Sequence, residues 1–151
     1  MKKRHLGFTL LEVIVFVTIF AVFFVTAAYV VTVSIRAMQF NVNKIIATHL
    51  AQEALEWTNG QKEADWSAFT PRASGTVGGA TDWCFNQSSI SGWPSSGPCL
   101  PNDYSLNGLY KRNLRLILSS STQVTAQVSV SWQEGGHIYT VPLNIVFSVY
   151  E

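Results

Sequence analysis

The sequence predicts an α+β fold: one long N-terminal helix, apolar in its first half and amphipathic in its second, packed on a small antiparallel β-meander. Three observations carry this. No Gly or Pro interrupts Phe8 to Asn59. The apolar residues beyond Ile35 recur near every 3.6 positions, as on one helix face. From Leu114 onward they alternate with a period of two, which marks strands with one buried face. The implied order is a basic segment (1–7), an apolar helix half (8–35), an amphipathic helix half (36–58), a loop with two cysteines (59–113) and a sheet (114–151).

The N-terminal segment MKKRHLG has three Lys or Arg residues and no acid, and Val13 to Ile35 contains no charged residue. Thr18, Thr26, Thr32 and Ser34 interrupt an otherwise apolar run of 23 residues, which as a helix spans roughly 35 Å, enough for a hydrocarbon core of about 30 Å. A cleaved secretory signal has an apolar region of about 7–15 residues and a small-residue end. This run is longer, and Ala27-Ala28-Tyr29 is a poor end. A plain signal anchor, with Lys2, Lys3 and Arg4 kept inside, explains length and orientation. It leaves Glu12 unexplained, because an acid costs about 2.5–3.5 kcal/mol at a membrane centre, less near an end, and usually has a partner.

The string Gly7-Phe8-Thr9-Leu10-Leu11-Glu12-Val13, behind a short basic leader, resembles the processing site of type IV prepilins and type II secretion pseudopilins. The resemblance implies a pilin-like fold and a prepilin leader at 1–7. It implies that a prepilin peptidase cuts between Gly7 and Phe8 and that Phe8 is then N-methylated. The partners implied are that peptidase, other pilin or pseudopilin subunits in a helical filament, and an assembly platform with its ATPase. The chain is then single-pass in the cytoplasmic membrane with its C-terminus outside, and later part of an extracellular or periplasmic filament. Loss of Lys2, Lys3 and Arg4 leaves seven basic residues against nine acids, changing the net charge from +1 to −2.

Glu12 becomes the fifth residue of the processed chain. The resemblance implies that it neutralises the Phe8 α-amine of a neighbouring subunit. An unpaired buried charge is costly, so such a pair fixes register more than it adds stability. An acid in the first turn also complements the helix dipole, but that alone does not require an acid within a membrane span.

Between Arg36 and Trp57, the residues Met38, Val42, Ile45, Ile46, His49, Leu50 and Leu55 suggest the packing stripe, with Arg36, Asn43, Lys44, Gln52 and Glu56 largely opposite. Asn59-Gly60 reads as the stop. From Phe8 to Thr58 the helix would reach about 75 Å. His49 reads as a packed or half-exposed residue, and His5 and His137 are too scattered for zinc.

From Gln61 to Gly108 the periodicity fades into Gly-, Ser- and Pro-rich stretches. Cys84 and Cys99 are either a disulfide or two free thiols, and export to an oxidising compartment favours the bridge. Trp83 and Trp93 are placed to pack over it or to meet a neighbouring subunit. Asp82, Asn86, Asn102, Asp103 and Asn107 do not fit a calcium-loop spacing and are common turn residues. Asn86-Gln87-Ser88 is a formal sequon of a kind common by chance.

Leu114, Leu116 and Leu118, then Val124, Ala126, Val128, Val130 and Trp132, then Val141, Leu143, Ile145, Phe147 and Val149 alternate as three strands. Gly135-Gly136 marks a hairpin, and Pro142 points to an edge or a bulge. The meander's apolar face needs a cover, which the amphipathic helix half supplies. The ending resembles the minor-pilin and I-type pseudopilin branch. Tyr29 and Ala21 stand where many major pilins carry Pro and Gly, which also favours a minor subunit or pseudopilin.

No nucleophile elbow, phosphate-binding glycine loop or HExxH motif is present, so the expectation is a structural subunit with no catalytic residue, metal or cofactor. A second class is an adhesin or DNA-uptake module. Lys111, Arg112 and Arg115 form a basic cluster offering a weak DNA contact, although such charges more often make a solvated strand edge, and nucleic acid is the disfavoured partner.

Overall fold

A computed structural model describes residues 9–149. Helix α1 runs Leu10–Ala64 and helix α2 Trp66–Ala73; strands follow as β1 (Ala80–Cys84), β2 (Tyr110–Ser120), β3 (Gln123–Glu134) and β4 (His137–Ser148). The fold is α+β and pilin-like, with one four-stranded antiparallel sheet in the order β1-β2-β3-β4. The chain divides within α1 into two compact units, 1–41 and 42–151.

In the first unit, every residue from Thr9 to Gln39 is exposed. The segment is rich in β-branched residues, which are indifferent helix formers in water. In lipid, however, only a helix or a closed barrel satisfies the backbone internally. Its hydroxyls are satisfied the same way. Thr18 donates to the Val15 carbonyl (2.8 Å), Thr26 to Phe23 (2.8 Å), Thr32 to Ala28 (2.9 Å) and Ser34 to Val30 (2.9 Å).

In the second unit the packing face of α1 differs from the expected stripe. Ala47, Leu50, Ala51, Ala54 and Thr58 are buried, while Val42, Ile45, Ile46 and His49 are exposed. The reason is volume. The sheet buries large side chains, Leu114, Leu116, Val128, Val130 and Trp132 among them, and small helix residues leave room for those. The helix also runs through Asn59-Gly60 to Ala64 instead of stopping there. A helical Gly costs about 1 kcal/mol. The buried Thr58, bonded to the Ala54 carbonyl at 2.6 Å, and the Asn59–Glu63 bond at 2.7 Å favour continuation. Asp65 then caps α2, its Oδ1 accepting from the Ala68 N–H at 3.0 Å.

The stretch 59–113, expected as loop, thus holds the end of α1, all of α2 and β1, and the start of β2. The β3–β4 hairpin turns on Gly135 (φ 59°) and Gly136 (φ 82°), the positive angles of a type I′ turn. Pro142 sits in an edge strand, as expected. The apolar face of β4 is less covered than the alternation suggested: Phe147 is buried, Val141 and Leu143 are half-buried, and Ile145 and Val149 are exposed. Burial is instead concentrated on β2 and β3, the two central strands.

Candidate assembly interface

Thr9 opens α1: its carbonyl accepts from the Glu12 N–H at 3.0 Å. Glu12 is therefore in the first turn, where unpaired N–H groups and the helix dipole favour an acid. It is the only charged residue from Thr9 to Ile35. Around it lies an exposed, uncharged and mostly apolar surface, with Phe16, Phe20 and Phe24 in tilted contact at successive turns (4.7 and 5.8 Å between ring centres). The helix is long and apolar enough to cross a membrane. Gly7 and Phe8, the expected cleavage and methylation residues, lie outside the described residues, as do Lys2, Lys3, Arg4 and His5.

Cys84 and Cys99 are joined as a disulfide, with Cα atoms 4.7 Å apart. Trp83 and Trp93 meet at 5.0 Å, as part of an aromatic cluster with Trp57, Phe69 and Phe85. The bridge fixes the end of β1, and beside it the Cys99 N–H donates to Asn113 Oδ1 at 2.8 Å.

Arg112 does not belong to the expected basic surface cluster, of which only Lys111 and Arg115 face outward. Arg112 is fully buried. Its Nε donates to the Phe85 carbonyl (3.0 Å), its Nη2 to the Gln87 carbonyl (3.0 Å), and its Nη1 to the Leu50 carbonyl (2.9 Å) and to Glu53 (2.7 Å). Strand alternation explains this, since Arg112 shares its parity with Leu114, Leu116 and Leu118 and so faces the core. Lys111 and Arg115 face the other way. Lys111 Nζ donates to the Pro101 carbonyl at 2.8 Å over the Tyr104 ring, and Arg115 stands 4.0 Å from Asp82. The residue that sequence reasoning missed is Glu53, although the parity of Arg112 was a signal that a buried acid or carbonyl set had to exist.

Asn86 is likewise structural. It donates to the Asp103 carbonyl (2.7 Å) and accepts from the Arg112 N–H (2.9 Å). Hydrogen bonds from the Ser105 hydroxyl, then from Asn86, hold the Asp103 carboxyl below the usual carboxylate range. Near the hairpin, Asn43 donates to Glu134 (3.1 Å) and accepts from the Tyr110 hydroxyl (3.1 Å). Burial, and then the Glu134 charge, raise the Tyr110 phenol above its ordinary value. Among the described residues no group of His, Cys, Asp and Glu is placed to hold a metal ion.

No curated protein and no solved structure matches the chain. Residues 2–28 match the family model described as the prokaryotic N-terminal methylation motif. That motif indicates a structural protein family, not an enzyme, and implies processing by a prepilin peptidase and assembly with other pilins; the apolar helix fits membrane anchoring. With its long N-terminal helix and four-stranded antiparallel sheet, the chain carries the motif of a type IV pilin-like or pseudopilin precursor.

Proposed function

We propose that the protein is a structural subunit, a minor pilin, of a type IV pilus-like filament. It is inserted as a prepilin, cut between Gly7 and Phe8, N-methylated on Phe8, and moved from the membrane into a helical filament by an assembly platform and its ATPase. One observation supports this above all: a single acid, Glu12, at the start of a helix half that is otherwise uncharged and exposed on every side. A surface of that kind needs lipid or like helices around it, and the acid then needs a positive partner. The processed Phe8 amine is the nearest one in kind.

Mass analysis of the membrane-extracted protein tests the reading. The expected mature chain begins at Phe8 and carries one methyl group. A bulky residue in place of Gly7 should leave residues 1–7 attached, because the peptidase needs close approach to the backbone there. Normal cleavage of that variant would overturn the assignment. Tyr29 and Ala21 also favour the second reading, a pseudopilin of a type II secretion system. Recovery of the processed chain only in a periplasmic assembly, and never in sheared surface filaments, would select it.

A further inference from the structure

Among the described residues β4 is an edge strand of the sheet, paired with β3 without a break from His137 to Ser148. The hairpin fixes which of its backbone groups face outward. In a two-residue turn the flanking residues, here Glu134 and His137, exchange both hydrogen bonds, and pairing alternates from there. Ile138, Thr140, Pro142, Asn144, Val146 and Ser148 therefore turn their backbone groups away from β3. Ile138 and Val146 are 64% and 51% exposed along this edge. A long exposed edge strand presents a row of backbone groups that templates further strand pairing. Pro142, at the middle, is the one outward position of β4 that has no N–H to offer.

We propose that Pro142 keeps the β4 edge closed to the β4 of a second copy of this chain. The second copy is the occupant because the edge is its own complement. A two-fold axis perpendicular to the sheet brings Thr140 opposite Val146 and residue 142 opposite residue 144 of the other copy, matching donors to acceptors. Pro142 breaks that match at its centre. Two N–H···O bonds are lost, the Asn144 carbonyl of each copy stays unpaired, and two proline rings stand between the strands. The ladder to β3 is untouched, because the missing N–H would have faced outward.

The test uses the full-length chain in detergent micelles, so that any association through α1 is common to all variants. Pro142→Thr should tighten the dimer dissociation constant about 30-fold, the equivalent of two restored hydrogen bonds. The Thr140, Asn144 and Val146 amides should become protected from hydrogen exchange as concentration rises. Pro142→Ala restores the same N–H and should act in the same direction. Adding Val146→Pro to Pro142→Thr removes another outward N–H and should return the wild-type behaviour. Unchanged dissociation constants with unprotected amides in both single variants would overturn the proposal. So would a dimer that survives Val146→Pro, or wild-type protein whose Thr140 and Asn144 amides are already protected.

Discussion

Arg112 Nη1 lies 2.7 Å from Glu53 Oε2, joining a fully buried guanidinium on β2 to a carboxylate on α1 whose side chain is 36% exposed. Through the same side chain, the Leu50 carbonyl of α1 and the Phe85 and Gln87 carbonyls after β1 are satisfied. One residue thus ties the helix, the central sheet and the loop that leaves β1. The planar guanidinium suits this task because it offers five donors in fixed directions.

Replacing Arg112 with Met should lower the stability of the 42–151 unit by about 3 kcal/mol, the low end for breaking a buried pair, because water reaches the stranded Glu53. Arg112→Lys should rescue little, since one ammonium cannot meet four acceptors in a plane. Glu53→Gln keeps an acceptor and should cost about 1–2 kcal/mol. Denaturant unfolding of the chain in detergent, followed by tryptophan fluorescence, separates these; all five Trp lie between Trp57 and Trp132. Equal stability of Arg112→Met and wild type would contradict the keystone role. A DNA mobility assay on charge-reversed Arg112 would report misfolding, so any test of DNA contact belongs on Lys111 and Arg115.

Cys84→Ser should remove a bridge of sequence separation 15, worth roughly 3 kcal/mol in the chain-entropy model. The effect should fall first on residues just after Cys84, where Phe85 and Gln87 present the Arg112 acceptors. Hydrogen exchange should rise at the Phe85 N–H, which bonds the Arg112 carbonyl at 3.0 Å, before it rises in β3. Simultaneous loss of protection in β1 and β3 would show that the bridge holds the whole sheet.

Asp65 accepts from the Ser67 hydroxyl at 2.7 Å and the Ala68 N–H at 3.0 Å, and these bonds, the hydroxyl first, lower its pKa. A depressed folded-state pKa stabilises above the unfolded value and loses that contribution as pH falls through the folded one. The α2 start should therefore loosen on acidification below the ordinary carboxylate range. Asp65→Asn, still a good cap, should flatten this local acid response. Amide exchange at Ala68 across that range is the measurement, and an identical pH profile in the variant would refute the linkage.

Architecture was readable because it rests on period and composition. The uncharged run fixed the apolar helix half, and the alternation from Leu114 fixed the three long strands. What escaped was set by partners distant in sequence. Strand β1 is five residues with no clear alternation, and its register comes from pairing Trp83 with Leu114 and Cys84 with Asn113. The helix face differs from the hydrophobic stripe because Ile45 and Ile46 outrank Ala47 and Ala51 in hydrophobicity, whereas the space under a Leu- and Trp-bearing sheet favours the smaller residues. Arg112 lies in the core because its parity in the strand, shared with Leu114 and Leu116, decides its direction over its charge.

Glu12 gives the most direct test of assembly. In Glu12→Val the lone acid of the apolar half is gone, so membrane insertion should be as good or better. Cleavage should persist, because Gly7 and Phe8 are unchanged. Filament entry should fall, since an incoming Phe8 amine would be buried without a counter-charge, and breaking a buried pair costs about 3–5 kcal/mol. That corresponds to a factor of about 150 to several thousand in an association equilibrium. Glu12→Gln should be intermediate, because an amide oxygen accepts a hydrogen bond but does not neutralise charge. The readout is the fraction of processed protein in purified filaments against the fraction left in membrane. If Glu12→Val enters filaments as readily as wild type, the acid acts on its own helix dipole, and its effect should then appear as fraying of the Thr9–Val13 turn, where the Glu12 and Val13 N–H groups bond the Thr9 carbonyl.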